Sequence, residues 1–213
     1  MTLSRDTVVF GEKVTLTGDL QGPPAGSTIS FTKDGVVIDT CSTGGGGSCS
    51  VSYMPRAETE VAAAFAGDGT YAPATSRPEW ISVHVAIRGK MRGFSGRDGK
   101  YRLYGPRERI IHVVRVRPPH PQKRVEIWFQ YNVGSGWQNG GHDEFRQNED
   151  GYLAIVFAGG SLPSGKFRLR SVQTGDSDHL GGRSRWTFFR VTGGSRIVDS
   201  TEALTFGAAS QRR

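Results

Sequence analysis

The chain has 213 residues, of which 36% are hydrophobic and 22% charged, and it contains 30 glycines and 10 prolines. The modest apolar fraction suits strands that bury one face only, and the glycines and prolines suit tight turns. No stretch approaches the ~18 apolar residues of a membrane span, and no charged-then-apolar leader is recognisable at the N-terminus. The composition therefore predicts a β-rich protein without a membrane span.

The net charge of +7 is unevenly distributed along the chain. Residues 1–86 contain 5 Lys and Arg against 9 Asp and Glu, a net charge of −4, whereas residues 87–213 contain 22 against 11, a net charge of +11. The basic character therefore belongs to the second half. Such a field favours anionic partners, namely nucleic acid, an anionic cell-wall polymer, a membrane surface or an acidic protein; a merely solubilising surface is the alternative.

The first half alternates apolar and polar side chains with the period of half-buried strands. The strands predicted in this way are Val14–Gly18, Thr28–Lys33, Val36–Thr40, Ser50–Tyr53 and Glu60–Phe65. Asp34-Gly35 predicts a hairpin turn after the second of them. No segment shows helical periodicity over three turns, so this half is expected to be all-β.

Two cysteines, Cys41 and Cys49, lie at the ends of one short loop. Strands joined by such a loop place facing residues close enough for a disulfide. A bridge of this size contributes about 2–3 kcal/mol and is expected to tighten one hairpin, and it indicates an oxidising, extracytoplasmic setting. Free thiols are the alternative, and a metal site is disfavoured because two sulfurs without a nearby histidine form an incomplete ligand set.

One block of sequence occurs twice, about 108 residues apart. A strand is followed by a Gly-Asp turn, at Gly67 or Gly175, and then by a strand that begins with a tryptophan, at Trp80 or Trp186. This period is too long for a solenoid repeat and fits one whole β-sandwich domain. The repeat therefore predicts two sandwiches in tandem.

Motifs of the first half occur in the order found in a known family. They are Gly11–Gly18, Gly26–Phe31, Cys41–Tyr53 and Phe65–Tyr71. In these motifs, residues 2–85 resemble the bacterial Ig-like repeat of secreted and surface proteins, which also occurs in phage virion proteins. The resemblance implies a seven-stranded sandwich with a spacer or adhesive role and no catalytic residues. Family members are usually segments of much longer chains, and here this chain departs from the family.

The second half matches this pattern less closely. Ile127 and Phe129 stand where Ile29 and Phe31 stand in the first half. This half resembles the companion Ig-like or fibronectin-like sandwich that often closes Ig-like tails in actinobacterial surface proteins.

The expected fold is therefore all-β, with two tandem antiparallel Ig-like β-sandwiches at residues 1–86 and 87–192. Residues 193–213 form a polar tail with one apolar patch, Ala203–Phe206. Such a tail is expected either to be disordered or to dock as a strand on a partner.

The sequence lacks the constellations typical of an enzyme. It has no Gly-x-Ser-x-Gly, His-Glu-x-x-His, phosphate-binding loop or dinucleotide fingerprint, and its five histidines are scattered. Two clusters, His142–Glu144 and Asp176–His179, offer ligands to a cation. The second cluster coincides with the Gly-Asp turn of the first half, so an Asp that bonds its own backbone explains both copies. No catalytic residue, metal or cofactor is expected.

Basic residues of the second half recur two apart, which places them on one face of a strand while their apolar neighbours point to the other. Basic side chains beside exposed aromatic rings suit a polymer that carries negative charge and flat faces, such as nucleic acid or glycan. The candidate ligand-binding residues are Arg88, Lys90, Arg92, Tyr101, Tyr104, Arg115, Arg117, Trp128, Arg168 and Arg170. An ordinary solvated surface, with arginine stems packed on aromatic rings, and a protein interface are the alternatives.

These observations favour a non-enzymatic structural or adhesive module, extracellular and displayed on a cell or virion surface, whose basic second domain contacts an anionic polymer or protein. Expected partners are other structural proteins of that assembly, or an anionic cell-wall polymer or glycan. Nucleic acid is disfavoured because no nucleic-acid-binding motif is present. The alternatives are a phage tail or capsid-surface protein and an accessory binding module of a larger secreted enzyme.

Overall fold

The computed structural model describes residues 1–22, 25–193 and 209–211, and the regular structure in these residues consists of strands. Within them, no helix is long and apolar enough to cross a membrane. The chain divides into two compact units, the first formed by Met1–His84 with Gly175–Leu180 and the second by Val85–Thr174 with Gly181–Arg213. The predicted boundary after residue 86 lies two residues beyond this division. The segment 175–180, which the sequence assigned to the second domain, belongs by its contacts to the first unit.

The first unit is a sandwich of two sheets. Its strands are β1 (Thr2–Leu3), β2 (Thr7–Val9), β3 (Val14–Asp19), β4 (Thr28–Lys33), β5 (Val36–Ser42), β6 (Ser48–Tyr53), β7 (Thr59–Phe65), β8 (Ala74–Thr75) and β9 (Glu79–His84). One sheet has the order β1-β3-β6 and the other β2-β9-β7-β4-β5, with β8 paired to β7. This order corresponds to A-B-E opposite A′-G-F-C-C′, so the architecture is immunoglobulin-like.

The second unit repeats this strand order and adds one strand at the edge of each sheet. Its strands are β10 (Ala86–Arg92), β11 (Gly96–Asp98), β12 (Tyr101–Tyr104), β13 (Ile110–Arg117), β14 (Arg124–Asn132), β15 (Trp137–Arg146), β16 (Tyr152–Phe157), β17 (Gly165–Gln173), β18 (Gly182–Arg183), β19 (Thr187–Val191) and β20 (Ala209–Gln211). The sheets run β10-β13-β16-β20 and β11-β12-β19-β17-β14-β15, with β18 paired to β17. The predicted all-β fold of two sandwiches is confirmed.

The C-terminal strand β20 lies within the predicted tail. Its backbone pairs antiparallel with β16, Phe157 opposite Ala209. The apolar patch Ala203–Phe206 lies outside the described residues.

The duplication extends to individual residue pairs at a constant offset of 108. Thr59 pairs with Ile81 in the first unit, and Phe167 pairs with Phe189 in the second. In the same register Trp80 corresponds to Phe188, so the sequence alignment of Trp80 with Trp186 is wrong by two residues. A shift of two residues keeps every side chain on the same face of a strand, so the alternation pattern cannot detect it.

The same correction applies to the central strands β4 and β14. Ser30 pairs with Ala64, and Glu126 pairs with Val172, the residue 108 positions after Ala64. Ser30 therefore corresponds to Glu126, and Ile127 corresponds to Phe31 rather than to Ile29. The predicted correspondence is again wrong by two residues. A shift of two still matches buried positions with buried positions, because buried side chains alternate along both strands.

The Gly-Asp turns have the same hydrogen bonds in both copies. The Asp68 carboxylate accepts the backbone N–H groups of Thr70 and Tyr71, at 3.0 and 2.9 Å. The Asp176 carboxylate accepts those of Asp178 and His179, at 3.1 and 2.9 Å. The interpretation of this repeat as a backbone-bonding Asp turn is confirmed.

The predicted disulfide between Cys41 and Cys49 is present, but it does not close a hairpin. Cys41 lies in β5 and Cys49 in β6, and these strands belong to opposite sheets. Both cysteines pack against the core of the first unit. The bridge therefore joins the two layers at one edge of the sandwich, which sequence spacing alone did not distinguish from a hairpin.

The second unit has a large aromatic core with one buried histidine. The rings of Phe129, Phe167 and Phe189 stack within it, with centroids 5.6 and 5.1 Å apart for successive pairs. The His112 side chain is fully buried on β13, and neither of its ring nitrogens has a hydrogen-bond partner among the described residues. Gly89 leaves room for this ring, since a Cβ there would overlap Nε2. Burial lowers the pKa of His112 from 6.5 to about 4.

We predict that reducing the disulfide, or the double substitution Cys41→Ser and Cys49→Ser, lowers the free energy of unfolding of the first unit by about 2–3 kcal/mol. Calorimetry in the presence and absence of reductant measures the change, and the second unit serves as control because it contains no cysteine. Two alkylatable thiols in the non-reduced protein would contradict the bridge.

We also predict that His112 makes the second unit sensitive to acid. Its folded pKa is about 4 and its ordinary pKa is 6.5, so the unfolded chain binds the extra proton as the pH falls through this interval. The resulting loss of stability is on the order of 3 kcal/mol at pH 4 and is absent above the ordinary pKa.

Urea unfolding of wild type and of His112→Leu across this pH range measures the effect. The variant is expected to lose this part of the pH dependence, whereas the control substitution at the exposed His142, His142→Gln, retains it. An identical pH slope in wild type and His112→Leu would show that the buried ring does not cause the acid sensitivity.

Candidate anion-binding face

The candidate site is built on β17, the central strand of the larger sheet of the second unit. Phe167, Leu169 and Ser171 on this strand are buried in the core. Because successive side chains of a strand point to opposite faces, Arg168 and Arg170 must point outward. Both are partly exposed, and Arg168 lies between Phe188 on one neighbouring strand and Gln130 on the other.

The two arginines are held by tryptophan rings. The Cζ atom of Arg168 lies 4.4 Å from the ring centroid of Trp137 and 4.3 Å from that of Trp186. The Cζ atom of Arg170 lies 4.2 Å from the Trp186 centroid. The Arg168 Nε also donates a hydrogen bond to Gln130 Oε1 at 2.8 Å. Trp186 thus contacts two guanidinium groups, and Arg168 has a fixed orientation.

The pattern of cations over rings continues toward β12. Lys100 Nζ lies 4.2 Å from the ring centroid of Phe188, and Lys166 Nζ lies 5.5 Å from that of Tyr101. The rings of Tyr101 and Phe188 meet edge to face, with centroids 5.8 Å apart.

On the other side of the arginines, Trp128 lies on β14 opposite Arg170. As predicted, it points away from the core, between the buried residues Ile127 and Phe129. Its Nε1 donates to Glu126 at 2.9 Å, and its ring stacks on His142 with centroids 4.5 Å apart. We call the outward surface of this sheet the ladder face, formed by Lys100, Tyr101, Trp128, Trp137, Lys166, Arg168, Arg170, Trp186 and Phe188.

The two central arginines of the ladder face have no direct ion-pair partner in the part of the chain that the structure describes. Burial lowers the pKa of Arg168, and the neighbouring charge of Arg170 lowers it further. Burial and the charge of Arg183 lower the pKa of Arg170. Arginine remains protonated in proteins, so these shifts indicate positive charges that would be stabilised by an added anion.

The first unit shows that the fold does not require this arrangement. In its register, Glu60 and Ala62 occupy the positions of Arg168 and Arg170, and Trp80 occupies that of Phe188. Trp80 is 58% exposed. The same scaffold therefore carries Glu60, Ala62 and an exposed Trp80 at these positions in one copy and the ladder face in the other.

The structure does not bring the predicted ligand-binding residues together on one surface. Arg88, Lys90 and Arg92 on β10, with Arg115 and Arg117 on β13, lie on the outer face of the smaller sheet. Tyr101, Trp128, Arg168 and Arg170 lie on the larger sheet. Spacing within one strand identifies a face of that strand but does not say which sheet the strand joins.

Tyr104 is not available to a ligand, so its prediction as a surface residue is wrong. Its side chain is fully buried, and its hydroxyl donates to the backbone oxygen of Arg92 at 2.6 Å. Burial raises the pKa of this hydroxyl. Tyr104 lies on the inward side of β12. This strand has only 4 residues, too few for the alternation of inward and outward side chains to be recognised in the sequence.

Sequence reasoning missed Trp137, Trp186, Phe188, Lys100 and Lys166 as parts of the site. Lys166 carried a signal, because it continues the two-residue spacing of Arg168 and Arg170. Trp137 begins β15, and its contact with Arg168 depends on a register shift between Trp128 and Gln130. No local pattern predicts that contact.

Comparison with known proteins does not assign the chain to a family. No family model and no curated protein matches the chain. A solved structure of a marsupial T cell receptor is similar with a TM-score of 0.36 and 10% sequence identity, over 89% of this chain and 71% of that one. This similarity does not extend to function, and the description of both units as immunoglobulin-like sandwiches relies on their strand order.

Proposed function

We propose that this protein is a non-enzymatic adhesive or structural module displayed outside the cytoplasm, on a cell or virion surface, and that the ladder face binds an anionic polymer. The observation that carries the proposal is Arg168, held between two indole rings with no carboxylate partner among the described residues. A cation in this setting is ordered before any ligand arrives. An anion would therefore bind it without the cost of ordering the side chain.

The chemistry of the face suits a polymer with negative groups and flat rings. A guanidinium stacked on a ring keeps N–H donors at its edge, which match the paired oxygens of sulfate, phosphate or carboxylate groups. The partly exposed rings of Tyr101, Phe188 and Trp128 offer surfaces on which a sugar ring or another flat group stacks. An anionic cell-wall polymer or glycan supplies both features, whereas an acidic protein surface supplies mainly the charges.

The setting outside the cytoplasm is supported by the disulfide of the first unit, because such bridges persist in oxidising compartments. The motifs that resemble bacterial Ig-like repeats support a spacer role for that unit. A phage tail or capsid-surface protein and an accessory module of a secreted enzyme would use the same face in the same way.

We predict that Arg168→Gln with Arg170→Gln weakens binding to an anionic polymer at least about tenfold, because two charge-assisted contacts are lost. The full chain is titrated with heparin, a teichoic-type polymer and single-stranded nucleic acid across a salt series. The full chain is needed because the first unit includes residues 175–180, so separated halves would lose part of it.

Two further variants distinguish binding at a specific site from binding that depends only on the net charge of the protein. Arg168→Lys with Arg170→Lys keeps both charges but loses the planar guanidinium, and it is expected to weaken binding as well. Lys13→Gln with Arg77→Gln removes the same charge from exposed positions of the first unit and should leave binding nearly unchanged. Equal losses in this control and in the Gln variant would contradict the proposal, as would wild-type affinity in the Gln variant.

A further inference from the structure

The second unit carries another basic surface, on the smaller of its two sheets. We call this surface the comb face, formed by Arg88, Lys90, Arg92, Arg115 and Arg117. The three residues on β10 are exposed, and Arg88 lies directly opposite Arg115 on β13. None of the five forms an ion pair with a described residue.

The comb face differs from the ladder face in its chemistry. Alternate residues of a strand are spaced about 7 Å apart, so Arg88, Lys90 and Arg92 form a straight row of charges. Arg115 adds charge on the adjacent strand, and its Cζ lies 4.9 Å from the ring centroid of Tyr152. Most of this surface therefore offers charge without aromatic platforms. It suits the repeated anionic groups of an extended polymer.

The two faces point away from each other. Met91 and Val114 on the smaller sheet and Phe129 and Phe167 on the larger sheet belong to one buried core. The inner surfaces of packed sheets lie about 10 Å apart, so the outward charges of the two sheets are separated by the full thickness of the sandwich. One extended polymer strand cannot lie along both faces at once.

We propose that the second unit binds two strands of anionic polymer simultaneously, one on the ladder face and one on the comb face, and thereby cross-links them. This inference rests on the proposed function of the ladder face. It assigns the smaller sheet a binding role of its own. The two sites should differ in salt dependence, because binding by charge alone is weakened most steeply by salt, whereas ring stacking is less affected.

A bridging assay tests the proposal with heparin as the probe. The full-length protein is bound to heparin-coated beads, unbound protein is washed away, and fluorescent heparin is added. The wild type should retain the fluorescent polymer. Arg88→Gln, Lys90→Gln and Arg92→Gln combined should still bind the beads, with a shallower salt dependence, but should retain fluorescence only at the level of protein-free beads. Arg168→Gln with Arg170→Gln should also bind the beads at low salt without retaining fluorescence.

The outcomes separate the two proposals. A wild type that binds the beads but retains no fluorescent heparin overturns cross-linking and leaves the proposed function intact. Retention that persists in either variant also overturns it, because bridging would then come from self-association or from a single face. A wild type that does not bind the beads at low salt contradicts binding of this polymer class by either face. Loss of all binding in the β10 variant, with full binding in the Arg168 and Arg170 variant, would reject polymer binding by the ladder face and, with it, cross-linking.

Discussion

The alternation of side chains along β17 is the constraint on which the second sandwich and its candidate site both depend. Phe167 and Leu169 are fully buried in the aromatic core, and their burial fixes the strand in one register. Arg168 and Arg170, which alternate with them along the strand, must therefore point outward at the middle of the sheet. A one-residue slip would bury two guanidinium groups and expose two large apolar side chains. The packing of the core thus fixes the position of the charges.

The neighbouring strands then convert these charges into an ordered surface. A stacked arginine gains about 0.5–2 kcal/mol from each favourable ring contact, depending on how far it is desolvated. An unrestrained arginine loses up to about 2 kcal/mol of side-chain entropy when it is fixed. Trp137 and Trp186 hold Arg168 from two sides, so much of this ordering takes place during folding. The duplicated scaffold of the first unit, with Glu60 and Ala62 in the corresponding positions, has no such cations.

Much of the fold could be predicted from local patterns, but partners in space could not. The two-residue period identified strands such as Thr28–Lys33, and the repeated Gly-Asp turn gave the offset at which the second sandwich copies the first. A shift of two residues preserves that period. The sequence pattern therefore matched Trp80 with Trp186, and Ile29 with Ile127, each two residues from the correct position. The outward direction of Trp128 was predicted, whereas the contact of Trp137 with Arg168 depends on strand pairing. For the same reason, the sequence analysis assigned basic residues of two opposite sheets to one candidate binding surface.

The indole N–H resonances of the four tryptophans give the most direct test of the ladder face as a binding surface. Trp137 and Trp186 contact the two arginines, whereas Trp80 is exposed on the first unit and serves as an internal reference. When an anionic polymer is titrated into the labelled full-length protein, the resonances of Trp137 and Trp186 should shift in a saturable manner while that of Trp80 stays in place. Saturable binding that shifts Trp80 and leaves Trp137 and Trp186 unchanged would contradict the assignment of the ladder face.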